Sequence, residues 1–137
     1  MDAIWRGLMV RGYQPHEVDE IWPHIRDFVQ AALDRGSDYT IGHVYEELAD
    51  SRMQLWTYEP DDIRAALITK IQSDRKTKYC LLLAAGGADA KEWLPYAESL
   101  EEWARAHGCE EMRIYGRRGW ARLCGYQVDW TRMSKKL

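Results

Sequence analysis

The densest set of side chains able to do chemistry lies in "GRRGWARLCGY", residues 116–126. Arg117, Arg118 and Arg122 stand there beside Gly116 and Gly119, which let the chain turn sharply. A planar guanidinium offers paired donors that match phosphate oxygens, so the stretch suits an anion, whether on a coenzyme or on DNA. A second stretch, "LAAGGA" at 83–88, follows an apolar run; the plainest reading of Gly86 and Gly87 is a strand-to-helix turn that needs positive φ. Proton acceptors are scarcer. Glu59, Asp61 and Asp62 share "EPDD" and its flank, which reads as a solvated turn, and none stands out as a general base.

Other chemistries find less support. Cys80, Cys109 and Cys124 show neither zinc-site spacing nor the density of a disulfide scaffold, and read as reduced, buried thiols. His16, His24, His43 and His107 make no HxH or HxxxH pair, so no metal site is expected. Tyr79 and Cys80 open an apolar run and read as sheet filling. The net charge of −3 argues against a general nucleic-acid coat. Its distribution is uneven, because residues 110–137 hold seven basic side chains against three acidic ones. That region either faces an anion or forms a solvated helix and tail. Seven tryptophans admit two readings, a contact surface for a homo-oligomer or larger assembly and a Trp-rich core with partly exposed rings.

The elements that must position these groups follow from periodicity. With 137 residues, 46% of them hydrophobic, the chain is expected to form one domain spanning 1–137 around one core. "PHEVDEIWPHIRDFVQAALDRG" carries an apolar stripe through Val18, Ile21, Trp22, Ile25, Phe28, Val29, Ala32 and Leu33, and Pro23 is expected to kink that helix or split off its first turn. Gly36 is placed to cap its end. "TIGHVYEELAD" predicts a second helix capped by Thr40, with Ile41, Val44, Tyr45 and Leu48 inward. "MQLWTY", "IRAALITKIQ" and "YCLLLAA" predict an antiparallel meander, the third strand covered on both faces. A long helix is expected from about residue 89 to 107, then a strand "EMRIY", a short helix over 118–124 and a last strand "YQVDWTRM". Strand, helix and strand in succession demand a crossover. The fold class is therefore mixed α/β (α+β), a mostly antiparallel sheet with helices on both faces.

The stretch "LEEWARAHGCEEMRIYGR" at 100–117 resembles the third helix and fifth strand of the GNAT superfamily of acyl-CoA N-acyltransferases, and "GWARLCGY" resembles the helix and turn that follow. The element order over 5–133 agrees, and the detail is most similar to small GNAT-like proteins of tailed phages and prophages. The resemblance implies a splayed pair of central strands, here 79–85 and 112–115, with the pantetheine arm of acetyl-CoA or another acyl-CoA in the gap between residues 82–84 and 113–115. It implies a pyrophosphate on backbone amides where the third helix begins, near Asp89. On this mapping Leu83, Ala84, Gly86, Gly87 and Ala88 bind cofactor, joined by Arg117 and Arg118.

The sequence departs from the family in three places. Leu83 stands where the phosphate loop carries a basic or amide side chain, and Ala121 stands where many members have the tyrosine acid, leaving Tyr115 and Tyr126 as substitutes. Only eleven residues follow Tyr126, where the family has a hairpin. Three readings follow: an N-acyltransferase, a non-catalytic phage virion or assembly protein on the same scaffold, and, ranked last, a DNA-modifying acyltransferase. Expected partners are copies of the chain or phage structural proteins, with nucleic acid not favoured and no membrane. The expected location is the cytoplasm, that of a host cell for a phage protein, or else the virion.

Overall fold

Apolar runs in the middle of the chain build a five-stranded sheet, and the amphipathic stretches around them cover its two faces. The computed structural model describes residues 9–35, 37–114 and 133–137. In order they form β1 (Val10–Gly12), α1 (Val18–Leu33), α2 (Ile41–Ala49), β2 (Gln54–Tyr58), β3 (Ala65–Ser73), β4 (Lys78–Gly87), α3 (Ala90–Trp93), α4 (Glu98–Ala106) and β5 (Glu111–Ile114). Strand order follows chain order, antiparallel from β1 to β4 and parallel between β4 and β5. Sequence reading did not foresee β1, whose three residues are too few to show a period. The predicted helix over 118–124, the last strand and the Gly36 cap lie outside the described residues.

The two sheet faces carry separate cores. Trp56, Leu67, Cys80 and Leu82 pack with Trp93, Leu100 and Trp103 of the α3 and α4 side. Leu55, Ala66, Ile68 and Ala84 pack with Ile25, Val29 and Leu33 of α1 and Val44 and Leu48 of α2. This double cover is why β4 reads as one apolar run. Thr40 caps α2 by accepting from the His43 amide at 3.1 Å. Among the described tryptophans, Trp56, Trp93 and Trp103 are buried, and Trp22 is half-buried with its ring edge against Tyr45.

Of the two outcomes expected at Pro23, a kink or a split-off first turn, the second does not occur. Pro23 neither ends nor divides α1, which runs unbroken through it. It lies on the exposed face, as does Asp19, whose carbonyl loses the helical donor that a proline cannot supply. Pro95, expected to be tolerated near the start of a long helix, breaks that helix. A one-turn α3 is followed by a 3-10 turn at Leu94–Tyr96, and α4 starts afresh at Glu98.

One buried carboxylate joins the two layers on the α1 and α2 side. Glu47 of α2 accepts from Lys70 of β3 at 2.6 Å and pairs with Arg52 at 2.8 Å. The Lys70 hydrogen bond holds its carboxyl below the ordinary 4.5, against the opposing pull of burial. The folded chain therefore binds this proton less tightly than the unfolded chain. Its contribution to stability is present above about pH 4.5 and fades as the pH falls below that value. Unfolding midpoints measured from about pH 6 to about pH 3 should fall more steeply for the native protein than for Glu47→Gln. Equal slopes would remove Glu47 from the account.

Candidate functional site

The parallel β4–β5 ladder pairs Tyr79 with Glu111, Cys80 with Met112, Leu81 with Arg113 and Leu82 with Ile114. The strands are thus still joined at 82 and 114, within the stretch where an opening between 82–84 and 113–115 was expected. β4 continues through residue 87, and its register against β3 slips at the next position. Ile68 faces Ala84 while Thr69 faces Leu82, so Leu83 is an extra residue, a β-bulge. A bulge bends its strand and tightens the local twist. The side chains record the slip: Leu82 packs into the α3 and α4 core, whereas Leu83 and Ala84 both pack toward α1. Beside this point lies a cavity of about 330 Å³. Among the described residues its walls include Leu82, Met112 and Ile114 from the strands and Trp93, Leu94 and Leu100 from the helices.

The stretch "LAAGGA" is not a loop. Ala84 through Gly87 pair with β3, opposite Ile68, Leu67, Ala66 and Ala65. Gly86 is a point of close approach. A Cβ there would lie 1.9 Å from the Phe28 carbonyl oxygen, so α1 rests directly on the strand. Gly87 does take the positive φ foreseen, +106°, and a Cβ there would also meet the Arg64 carbonyl oxygen at 2.3 Å. The turn reading therefore holds for Gly87, while Gly86 serves packing. The Ala88 amide donates to that same Arg64 carbonyl at 2.7 Å. Asp89 caps α3: its side chain accepts from Lys91 N–H at 3.3 Å and its carbonyl from Glu92 N–H at 2.9 Å. Arg64 pairs with Glu92 at 3.3 Å.

At the same end of the sheet, one carboxylate of the "EPDD" region is held in place. Glu59 accepts from the Thr57 hydroxyl at 2.9 Å and the Tyr13 hydroxyl at 3.1 Å, and is half-buried. Burial above all, opposed by the Thr57 hydrogen bond, raises the Tyr13 phenol above its ordinary 10.0. Asp61 and Asp62 stay exposed, as a solvated turn requires. Glu59 looked like its neighbours in sequence because Tyr13 lies 46 residues away.

Neither a family model nor a curated protein matches the sequence. Solved structures do match the fold. The chain is similar to a probable acetyltransferase at 12% identity, over 95% of this chain and 97% of that one, with a TM-score of 0.62. It is similar to an aminoglycoside acetyltransferase from an uncultured soil metagenomic sample at 8% identity, over 93% and 95%, TM-score 0.66. A ribosomal-protein-alanine N-acetyltransferase from Brucella melitensis biovar Abortus 2308 gives 9% identity, 93% and 99%, TM-score 0.63. The chain has a GNAT-like fold.

Within this GNAT-like fold, several residues singled out from sequence have plain structural work. Tyr79 donates to Gln72 at 3.0 Å and lies under the Arg113 guanidinium. Arg113 also binds Asp74 and Glu111, so this member of the basic C-terminal region is already neutralised. Tyr115, Arg117, Arg118, Ala121, Arg122 and Tyr126 lie outside the described residues. Among those described, no three His, Cys, Asp or Glu side chains gather as a metal site would need, and no helix is long and apolar enough to cross a membrane.

Burial pushes the Cys80 thiol up to about 12 and also raises Cys109. In a Cys124→Ser background, both thiols should react with a disulfide reagent at neutral pH more than about a hundredfold slower than in denaturant. A rapid phase in the folded protein would refute this.

Proposed function

We propose that this chain is an N-acyltransferase that moves an acyl group from a thioester to an amine. One observation carries the reading: on a GNAT-like fold, β4 bulges at Leu83 directly after its last described pair with β5, beside a mostly apolar cavity about 330 Å³ in volume. A bend at that point favours divergence of the two strands, and the cavity walls suit a pantetheine arm. In such a reaction the amine nitrogen bonds the acyl carbon, the carbon–sulfur bond breaks, the sulfur leaves as thiolate and the amine gives up a proton. A carboxylate is needed to accept that proton, and Glu59, held by Tyr13 and Thr57 on the α1 and α2 face of the sheet, is the candidate. Tyr115 and Tyr126 remain the candidates to protonate the thiolate.

The acceptor is an amine on a small molecule, a protein or a nucleobase. An aminoglycoside acetyltransferase and a ribosomal-protein-alanine N-acetyltransferase share this fold, so the scaffold does not select among them. A tailed-phage source belongs to the same proposal, on the resemblance of residues 100–126. Incubation with acetyl-CoA or acetyl-pantetheine and a panel of amines, read by mass spectrometry, should show acetylated product above the uncatalysed level. No transfer from either donor to any acceptor class would end the reading. Glu59→Gln should lower kcat/KM by about 10²-fold or more while leaving the unfolding midpoint nearly unchanged.

A second reading, a non-catalytic virion or assembly component, is favoured by the filled start of α3. It requires that the protein copurify with particles or self-associate at micromolar concentration.

A further inference from the structure

We infer that this chain grips its acyl donor by the thioester arm and not by a pyrophosphate at the start of α3. The inference rests on the acyltransferase reading above and concerns which part of the donor is recognised. The seat that GNAT resemblance assigns to the pyrophosphate is filled by the chain itself. Asp89 places a carboxylate on the Lys91 amide, where an anion would sit, and its carbonyl takes the Glu92 amide. The Ala88 amide is committed to the Arg64 carbonyl. The space beside Gly86 that a phosphate loop keeps for its ligand is taken by the Phe28 carbonyl oxygen.

The local charge points the same way. Glu92 adds a second carboxylate in the first turn, and its Oε2 is buried with no hydrogen-bond partner among the described residues. Arg64, the cation beside it, is already paired with Glu92. Leu83, in the place of a basic side chain, packs toward α1. Nor does α3 supply a strong dipole, because Pro95 limits it to four residues. A pyrophosphate brought here meets the Asp89 and Glu92 carboxylates and a carbonyl oxygen, with the Ala88, Lys91 and Glu92 amides already taken. The cavity beside Leu82 and Ile114 is walled mostly by apolar side chains, with Lys91 and Glu101 as its charged members.

The test compares coenzyme A with pantetheine, which lacks the nucleotide and its phosphates, by calorimetry on the full chain and on Asp89→Asn. Asparagine caps a helix as well as aspartate does, so this variant removes the charge and keeps the helix start. The native protein should bind coenzyme A within about tenfold of pantetheine, and Asp89→Asn should raise that preference at least about tenfold. A native preference for coenzyme A above tenfold would overturn the inference. So would a variant whose preference is unchanged, including the case in which neither protein takes up either probe. Acyl transfer from acetyl-pantetheine, measured alongside, separates the two questions. Its presence keeps the acyltransferase reading whatever becomes of Asp89, and its absence from every thioester strikes that reading by itself.

Discussion

Gly86→Ala is expected to destabilise the protein by about 3 kcal/mol or more, although it adds a single methyl group. That methyl would fall 1.9 Å from the Phe28 carbonyl oxygen and 2.8 Å from its carbon, both backbone atoms of α1. Backbone cannot rotate aside as a side chain can, so α1 must lift from β4. Lifting it opens the packing of Ile25, Val29 and Leu33 against the sheet. The control is Gly42→Ala in the first turn of α2, where nothing lies within 4 Å of the added carbon. Alanine lowers the entropy of the unfolded chain there and favours the helix, a gain of about 0.5 kcal/mol. Urea unfolding of the two variants should therefore move in opposite directions. Should Gly86→Ala unfold with the native midpoint, α1 does not sit on β4 as described.

The second large effect is expected at Trp56, which is 0% exposed at the centre of the α3 and α4 face. Its ring meets Trp103 edge-on, with centroids 5.2 Å apart and planes at 76°. Its N–H donates to the Thr69 hydroxyl at 3.0 Å, and that hydroxyl donates on to Gln54 at 2.9 Å. Trp56→Ala should cost about 4 kcal/mol, a large share of the stability of a typical domain. The cost combines lost transfer energy, a cavity under α4 and the loss of the donor to Thr69. Trp103 offers a contrast because its N–H is buried without a hydrogen-bond partner among the described residues. Trp103→Phe should thus cost less than Trp56→Phe, since it removes an unsatisfied donor and not a paired one. Equal costs from chemical denaturation would show that the hydrogen bond to Thr69 contributes nothing net.

The order of elements was legible because each announces itself locally. The stripe of Val18, Ile25, Val29 and Leu33 reads as a helix with one buried side, and the run from Cys80 to Ala85 reads as a strand covered on both. The site was less legible. Leu83 and Gly86, which the family resemblance assigns to a phosphate loop, lie in a paired strand, and Gly87 ends that strand with the positive φ expected of a turn. Glycine spacing alone does not distinguish a loop that admits a ligand from a strand that admits a helix. Glu59 reads in sequence like the solvated carboxylates beside it, because its partner Tyr13 is distant in the chain.

What the sequence determined by itself was therefore the fold class and, from α1 to β5, the succession of helices and strands apart from the break at Pro95. Those properties depend on periodicity over neighbouring residues, and burial of one face rewards that periodicity wherever it occurs. Tertiary structure decided what the special residues do. Pro23 and Pro95 each remove one donor from a helical stretch, yet α1 continues across the first and the helix stops at the second. Gly86 is required by the main chain of a helix more than fifty residues earlier, and Asp89 caps α3 where an external anion was expected. Each outcome depends on atoms brought close only by folding, and the local sequence carries no record of them.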